Sequence, residues 1–190
     1  WGPWNGIDAR LRLNIDGAVD ENVRAHIRLV HEGDISTTYA RNLDNSIDSN
    51  YKSTRIDQAY VAGKFDNFTL QIGRDDLYTG KGLIIDDKQF SGVKAGTVID
   101  NVSIDGFWGK DIGGIKTGSA DIRAALGDVN LGANFVKYGE DHFWGINGDT
   151  KIGEATLNAE YVKNTDTKAN GYLVGVTMGY YTVSYRDIEA

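Results

Sequence analysis

Cysteine is absent from the 190 residues and proline occurs once. Without cysteine there is no disulfide framework and no thiolate metal centre. Histidine is scarce as well, and the 3 present, His26, His31 and His142, are not at metal-ligand spacing. There is no Gly-x-Ser-x-Gly elbow and no phosphate-binding loop; Gly106 and Gly109 fall inside an alternating segment. Nothing calls for a cofactor, and no catalytic residue is expected. A basic excess is also missing. Lys and Arg number 20 against 27 Asp and Glu, a net charge of −7, which argues against nucleic acid as a partner. Long apolar runs are lacking too, with a mean hydropathy of −0.38. That rules out a membrane helix of about 18 or more apolar residues. It leaves membrane strands open, because their alternating residues average to near neutral. Trp1-Gly2-Pro3-Trp4 has neither the basic start nor the apolar run of a signal peptide, so the front end is expected to be processed or trimmed.

What is present is glycine, 24 residues, together with 10 Tyr and 4 Trp, and a strong period of two. From Ile7 to Asp16 the odd positions are all apolar and the even positions are Asp8, Arg10, Arg12, Asn14 and Asp16. Val23-Arg24-Ala25-His26-Ile27-Arg28-Leu29 repeats the pattern beyond a turn at Asp20-Glu21-Asn22. A helix would scatter these residues around its circumference; a strand sorts them onto two faces. Further strands are predicted over 54–65, 68–75, 92–99, 101–110, 119–127, 129–138, 142–152, 155–164, 170–179 and 180–188. The result is about twelve strands, each near the roughly 9–11 residues of a tilted membrane strand. Short turns such as Asp66-Asn67, Gly127-Asp128 and Gly153-Glu154 alternate with longer polar loops over 33–53, 76–91, 111–118 and 165–170. Tight turns on one rim and long loops on the other are the layout of outer-membrane barrels.

Alternation alone does not say which face points inward, and a soluble up-and-down barrel or sandwich has the same period. Two features favour the membrane. Bulky core formers are sparse on the apolar face, where aliphatic residues alternate with glycine. Aromatics, among them Tyr60, Phe65, Phe68, Trp108, Phe135, Tyr138, Phe143, Trp144, Tyr161, Tyr172 and Tyr181, gather near strand ends, as interfacial girdles do. The expectation is one all-β domain over 1–190, an antiparallel transmembrane β-barrel with short periplasmic turns and longer external loops.

In such a barrel Arg10, Arg12, Arg24, Arg28 and Arg55 face the lumen beside Asp8, Asp16 and Asp57. Arginines opposed by carboxylates set a transverse field that filters small polar solutes. The plainer alternative is that they keep the wall hydrated. The segment 75–92 holds an apolar centre, Leu83-Ile84-Ile85, of little use to a loop in water. Folded inward, it would bury that centre and present Asp86, Asp87 and Lys88 to the lumen as a constriction; the alternative is an external loop. Arg74 breaks the alternation: either the strand has ended there or, the favoured expectation, a bulge near Gly73 turns it inward. The run Asp44–Asn50 could hold calcium, but lacks the glycine and terminal glutamate of a twelve-residue calcium loop.

Several segments together resemble a known family. Arg10-Leu11-Arg12-Leu13, Ala59-Tyr60-Val61-Ala62-Gly63-Lys64-Phe65, Leu70-Gln71-Ile72-Gly73-Arg74 and Gly80-Lys81-Gly82-Leu83-Ile84-Ile85-Asp86-Asp87 resemble, in that order, the barrel region of the S-layer-homology porins of diderm Firmicutes. Tyr185-Arg186-Asp187-Ile188-Glu189-Ala190 is similar to a late-strand segment of the same proteins. The resemblance implies a general diffusion porin of the bacterial outer membrane, with about sixteen strands and trimeric. Its partners would be membrane lipid, small hydrophilic solutes and ions. Peptidoglycan would be reached only through an anchoring domain expected to lie outside this sequence, and the last strands of the barrel are expected to be missing as well. The alternative is an envelope anchor whose barrel serves only to hold a tether.

Overall fold

The computed structural model describes residues 8–34 and 54–188. The loop expected over 33–53 and the Asp44–Asn50 run lie almost wholly outside the described residues, as does the side chain of Asp8. Twelve strands follow one another: β1 (Asp8–Ala18), β2 (Val23–Asp34), β3 (Arg55–Phe65), β4 (Phe68–Leu77), β5 (Lys88–Ile99), β6 (Val102–Asp111), β7 (Lys116–Leu126), β8 (Val129–Tyr138), β9 (Asp141–Ile152), β10 (Ala155–Asn164), β11 (Asn170–Met178) and β12 (Tyr181–Ile188). They form a single 12-stranded sheet in sequence order, every recorded pair antiparallel.

The turns are as local as the strands. Asp66 (φ 52°), Asp100 (φ 53°) and Gly153 (φ 61°) each open a two-residue turn in the left-handed region, where Gly is unstrained and Asp is tolerated. At the first hairpin Asp20 Oδ1 accepts the N–H groups of Asn22 (2.7 Å) and Val23 (2.8 Å). The longer connections 78–87, 112–115 and 165–169 gather on the opposite rim, interrupted by the short turn at Gly139-Glu140. The largest boundary difference from expectation is in β5, beside smaller ones in β4, which runs on to Leu77, and β7, which begins at Lys116 rather than at 119. β5 begins at Lys88 rather than at 92, because Gln89 and Phe90 pair with Asp76 and Asp75. The loop before it is correspondingly shorter.

The two faces decide the environment. On the apolar face Leu11 is 69 % exposed, Ile72 55 %, Ile146 55 % and Val174 57 %. On the polar face Asp57, Asp121, Asn134 and Glu160 are buried. A soluble barrel arranges these the other way round, so the apolar face is the one that meets hydrocarbon. Phe65 and Phe68 at the turn rim, and Trp108, Phe135, Trp144 and Tyr172 towards the loop rim, stand on this outward face. Three aromatics expected there do not. Tyr60 stacks on His26 (5.0 Å between centroids), Tyr138 donates to Asp111 (2.6 Å), and Phe143 packs on a cluster of buried apolar side chains around Ile85.

The sheet is curled with its polar face inside. Asp86 lies two residues before β5, yet its carboxylate is 3.8 Å from Arg186 on β12. In a flat sheet β5 and β12 would stand roughly 34 Å apart, at about 4.8 Å per strand. Glycines ease the bend: Gly73, Gly92 and Gly109 pair side by side across β4, β5 and β6. A Cβ on Gly92 would lie 2.2 Å from the Trp108 carbonyl oxygen, and one on Gly109 2.6 Å from the Phe107 ring. Phe107 thus lies over bare backbone, edge-on to Phe90 at 5.5 Å and 71°.

Candidate functional site

The site is the concave polar face and the loop 78–87 that lies across it. On β1–β5 the polar side chains form a continuous network. The register between β2 and β3 shifts at Arg28/Leu29, so Asp57 and Gln58, neighbours in sequence, both turn to the polar face. Arg28 Nε donates to Asp57 Oδ2 (2.5 Å) and its Nη2 to Asp76 Oδ2 (2.9 Å). Gln58 Nε2 donates to Asp75 Oδ1 (2.8 Å) and Asp76 Oδ2 (2.7 Å), and Gln71 Nε2 to Asp75 Oδ2 (2.7 Å). His26 bridges Asp16 (2.6 Å) and Gln58 (3.1 Å). Gln89 closes the network onto Asp57.

The loop is held on the far wall. Gly80 N–H donates to Asp121 Oδ1 on β7 (3.3 Å), and Leu83 N–H to Glu160 Oε2 on β10 (2.9 Å). Lys81 pairs with Asp149 on β9. Glu160 also accepts from Asn134 Nδ2 on β8 (3.3 Å). Gly80 (φ 59°) sits so close that a Cβ would lie 1.8 Å from Glu160 Oε1. On its other side the loop buries Ile85 against Leu77, Phe90 and Val136, with Ile84 packed alongside. The apolar centre is therefore covered, and Asp86 and Asp87 stand exposed.

The candidate residues separate into buried, bonded ones and solvent-exposed ones. Arg12 and Arg55 both pair in register with Val30, one from each side, and Arg28 lies two residues further along β2. Arg10, Arg12 and Arg24 are exposed, and Arg55 approaches Asp57 at 3.9 Å. Arg24 lines a recess of about 650 Å³ with Lys64, Gln71, Lys94 and Asp105. A second recess, about 400 Å³, is lined by Lys81, Arg123, Asn130, Asn147 and Asp149. Lys88 belongs to β5 and is engaged by Asp111 (2.9 Å) and Tyr138, whose ring it covers at 4.4 Å.

Arg74 is a correction. No bulge turns it inward: Ala59↔Arg74 and Arg74↔Ser91 continue unbroken registers. Arg74 therefore shares the outward face of Ile72, exposed, with its guanidinium donating to Ser91 Oγ and the Ile56 carbonyl, both at 3.3 Å. The unusual φ of Gly73 (137°) reflects close packing on Ala59 and Tyr60, not an inserted residue. Lys64, Lys94, Arg123, Asp149 and Glu160 were not singled out from the sequence. The parity of their strands was the available signal: Lys64, Lys94, Arg123 and Glu160 alternate with apolar neighbours, whereas Asp149 stands between Gly148 and Thr150. Among the described residues no group of three or more His, Cys, Asp or Glu is placed to hold a metal ion.

A mutant porin of Rh. blastica superposes with a TM-score of 0.55 over 96 % of this chain and 86 % of that one, at 14 % identity. Another porin gives 0.54 over 95 % and 87 %, at 12 % identity. The fold is that of a porin β-barrel. OmpT of Vibrio cholerae, expressed in the outer membrane, gives 0.53 over 99 % of this chain and 77 % of its own, at 10 % identity. No family model and no curated protein matches the sequence. Within the porin fold, the loop after β4 crosses the polar interior, and the strands' apolar face forms the outer surface.

Proposed function

We propose that this chain forms a general diffusion porin: a water-filled channel that passes small hydrophilic solutes and ions across the bacterial outer membrane. The observation that carries the reading is loop 78–87, drawn from β4 over the polar face to Asp121 and Glu160. It narrows the interior without filling it, since polar recesses of about 650 and 400 Å³ remain on either part of the wall. The exposed apolar face supports residence in the membrane. Arg10, Arg12, Arg24 and Arg55 then line one wall of the passage, with Asp86 and Asp87 on the loop opposite. Arg28 and Lys88, already matched by carboxylates, brace the wall rather than meet solutes. The motifs shared with S-layer-homology porins support a trimer of that family. In it, any hold on peptidoglycan runs through a separate anchoring domain.

Purified folded protein in a planar bilayer is expected to give steady, ohmic single-channel conductance. Arg10→Glu should move the reversal potential in a salt gradient towards cation preference. Absence of conductance from a protein with intact β-structure would overturn the porin reading and leave the envelope-anchor alternative in its place.

A further inference from the structure

The inner wall is polar over much of its extent, but from β9 to β12, at the loop rim, it turns apolar. Phe143 on β9, Val162 on β10, Gly171 on β11 and Ile188 on β12 line a hollow of about 170 Å³ together with Leu83 and Ile84 of loop 78–87. Val162, Gly171 and Ile188 follow one another on a single ladder. Val162 and Gly171 share the parity of the buried Glu160 and Leu173 on their own strands, so this ladder faces the interior.

Gly171 keeps the hollow open. It is a strand residue without a left-handed φ, so its backbone does not require glycine. A Cβ there would meet nothing nearer than 3.7 Å. Gly145, on the same ladder beside Val162, is different: a Cβ on it would lie 2.3 Å from Asn134 Oδ1, so packing demands that glycine. A glycine inside a strand weakens the strand, and it often marks a place where a ligand comes close.

The polar atoms around the hollow are already matched. Asn164 Oδ1 accepts from the N–H groups of Asp166 (2.9 Å) and Thr167 (3.2 Å), and Tyr138 donates to Asp111 (2.6 Å). What is left to offer is apolar surface, in a volume close to the cavity of about 150 Å³ that takes benzene. In a water-filled passage such surface gains by being covered. Opposite charges stand beside it. Arg186 lies two residues from Ile188 on the same face of β12, about 7 Å along the strand, and Asp86 two residues beyond Ile84. Their side chains approach to 3.8 Å and are both about half exposed, a loose pair that an incoming ammonium and carboxylate can replace.

We propose that this hollow is a solute subsite for zwitterionic amino acids with an aromatic side chain. The ring enters beside Gly171 and Phe143 beneath the loop, the α-carboxylate pairs with Arg186, and the α-ammonium pairs with Asp86. The inference rests on the porin reading above and names a solute class for the same passage.

The test applies saturation-transfer NMR to the folded, detergent-solubilised protein, with L-phenylalanine as probe, L-alanine as control and the signal of empty micelles subtracted. Wild type should transfer magnetisation to the phenylalanine ring protons and not to the alanine methyl group. Gly171→Val, which fills the hollow at ordinary contact distance, should weaken L-phenylalanine binding by a factor of about ten or more. Arg186→Gln should weaken it about threefold and leave benzyl alcohol, which has the ring without the charges, bound as before. That second variant carries the test should Gly171→Val not fold. Equal ring signals in wild type and folded Gly171→Val would overturn the proposal, as would an Arg186→Gln variant that keeps both probes or loses both alike. No ring signal in wild type would overturn it too, whether the hollow is empty or holds a detergent tail or another stretch of the chain. The readout does not depend on conduction, so missing single-channel conductance beside an intact ring signal would overturn the porin reading instead.

Discussion

The polar face has two walls built by the same alternation, and they differ in what satisfies their charges. On β1–β3 the arginines stand largely in solvent: Arg10, Arg12 and Arg24 are exposed. On β7–β10 the polar groups beneath the loop are covered, while Arg123 and Asn130 line the open recess beside it. Asp121, Asn134 and Glu160 retain 6, 5 and 3 % exposure beneath the loop. Water hydrates the first wall, whereas backbone N–H groups of Gly80 and Leu83 replace water on the second. A buried carboxylate without such donors would cost several kcal/mol. The covered wall and the loop are therefore one structural unit, while an exposed arginine such as Arg12 or Arg24 can be replaced at little cost. Arg28, together with Asp57 and Gln58 on β3, lies on the first wall but is bonded like the second.

The largest effect should follow from separating the covered wall from its loop. Gly80→Val would place a Cβ against Glu160 and Asn134 and force a branched residue into a left-handed conformation. That strain, about 1–3 kcal/mol, adds to two lost backbone hydrogen bonds of about 1–3 kcal/mol each when buried partners go unmatched. The loop should leave the wall, so that trypsin cuts after Lys81 and single-channel conductance rises. Resistance to trypsin and unaltered conductance would break the comparison between the walls.

Next in size is Arg28→Gln, which strands Asp57 and Asp76. Their side chains keep 6 and 21 % exposure beside 17 % for Arg28, so the loss should be about 1–3 kcal/mol, below that of a fully buried pair. Thermal unfolding in detergent measures it. Arg24→Gln, on the same strand but nearer the hairpin, should change stability by no more than about 0.5 kcal/mol. Paired with Lys94→Gln, it should nevertheless shift ion preference towards cations in a salt gradient. If Arg28 governs preference and Arg24 governs stability, the distinction between bonded and exposed cations fails.

The smallest effect is expected in the loop 165–169. Donation from the His142 backbone and ring holds the Asp166 carboxyl below its usual range. A lowered folded pKa means that the stabilisation is fully present above the unfolded value of about 3.9 and is lost as pH falls below it. Amide exchange at Thr165 and Asp166 should accelerate over that acidic window, and Asp166→Asn should remove the acid dependence.

The strands were legible because their signal is local. Leu11, Leu13 and Ile15 fall on one face of β1, and Arg12, Asn14 and Asp16 on the other. A slip of one residue would turn every one of them to the wrong environment, so the pattern itself fixes the faces. The turns at Asp66 and Gly153 were equally visible, as was the apolar centre of the loop. Arg74 was misjudged because sequence shows a broken alternation but not its remedy. A rim position satisfies the cation as well as a bulge does, and only the unbroken register tells the two apart.

Sequence by itself determined the number of hairpins, the two faces of each strand and the rim on which each connection lies, all consequences of residues within a few positions of one another. Tertiary structure alone decided which charges are exposed and which are bonded. Gly80 meets Asp121 across 41 positions and Leu83 meets Glu160 across 77. Such contacts arise from the curl of the sheet, and no local pattern encodes the pairing of a loop with a strand so distant in the chain.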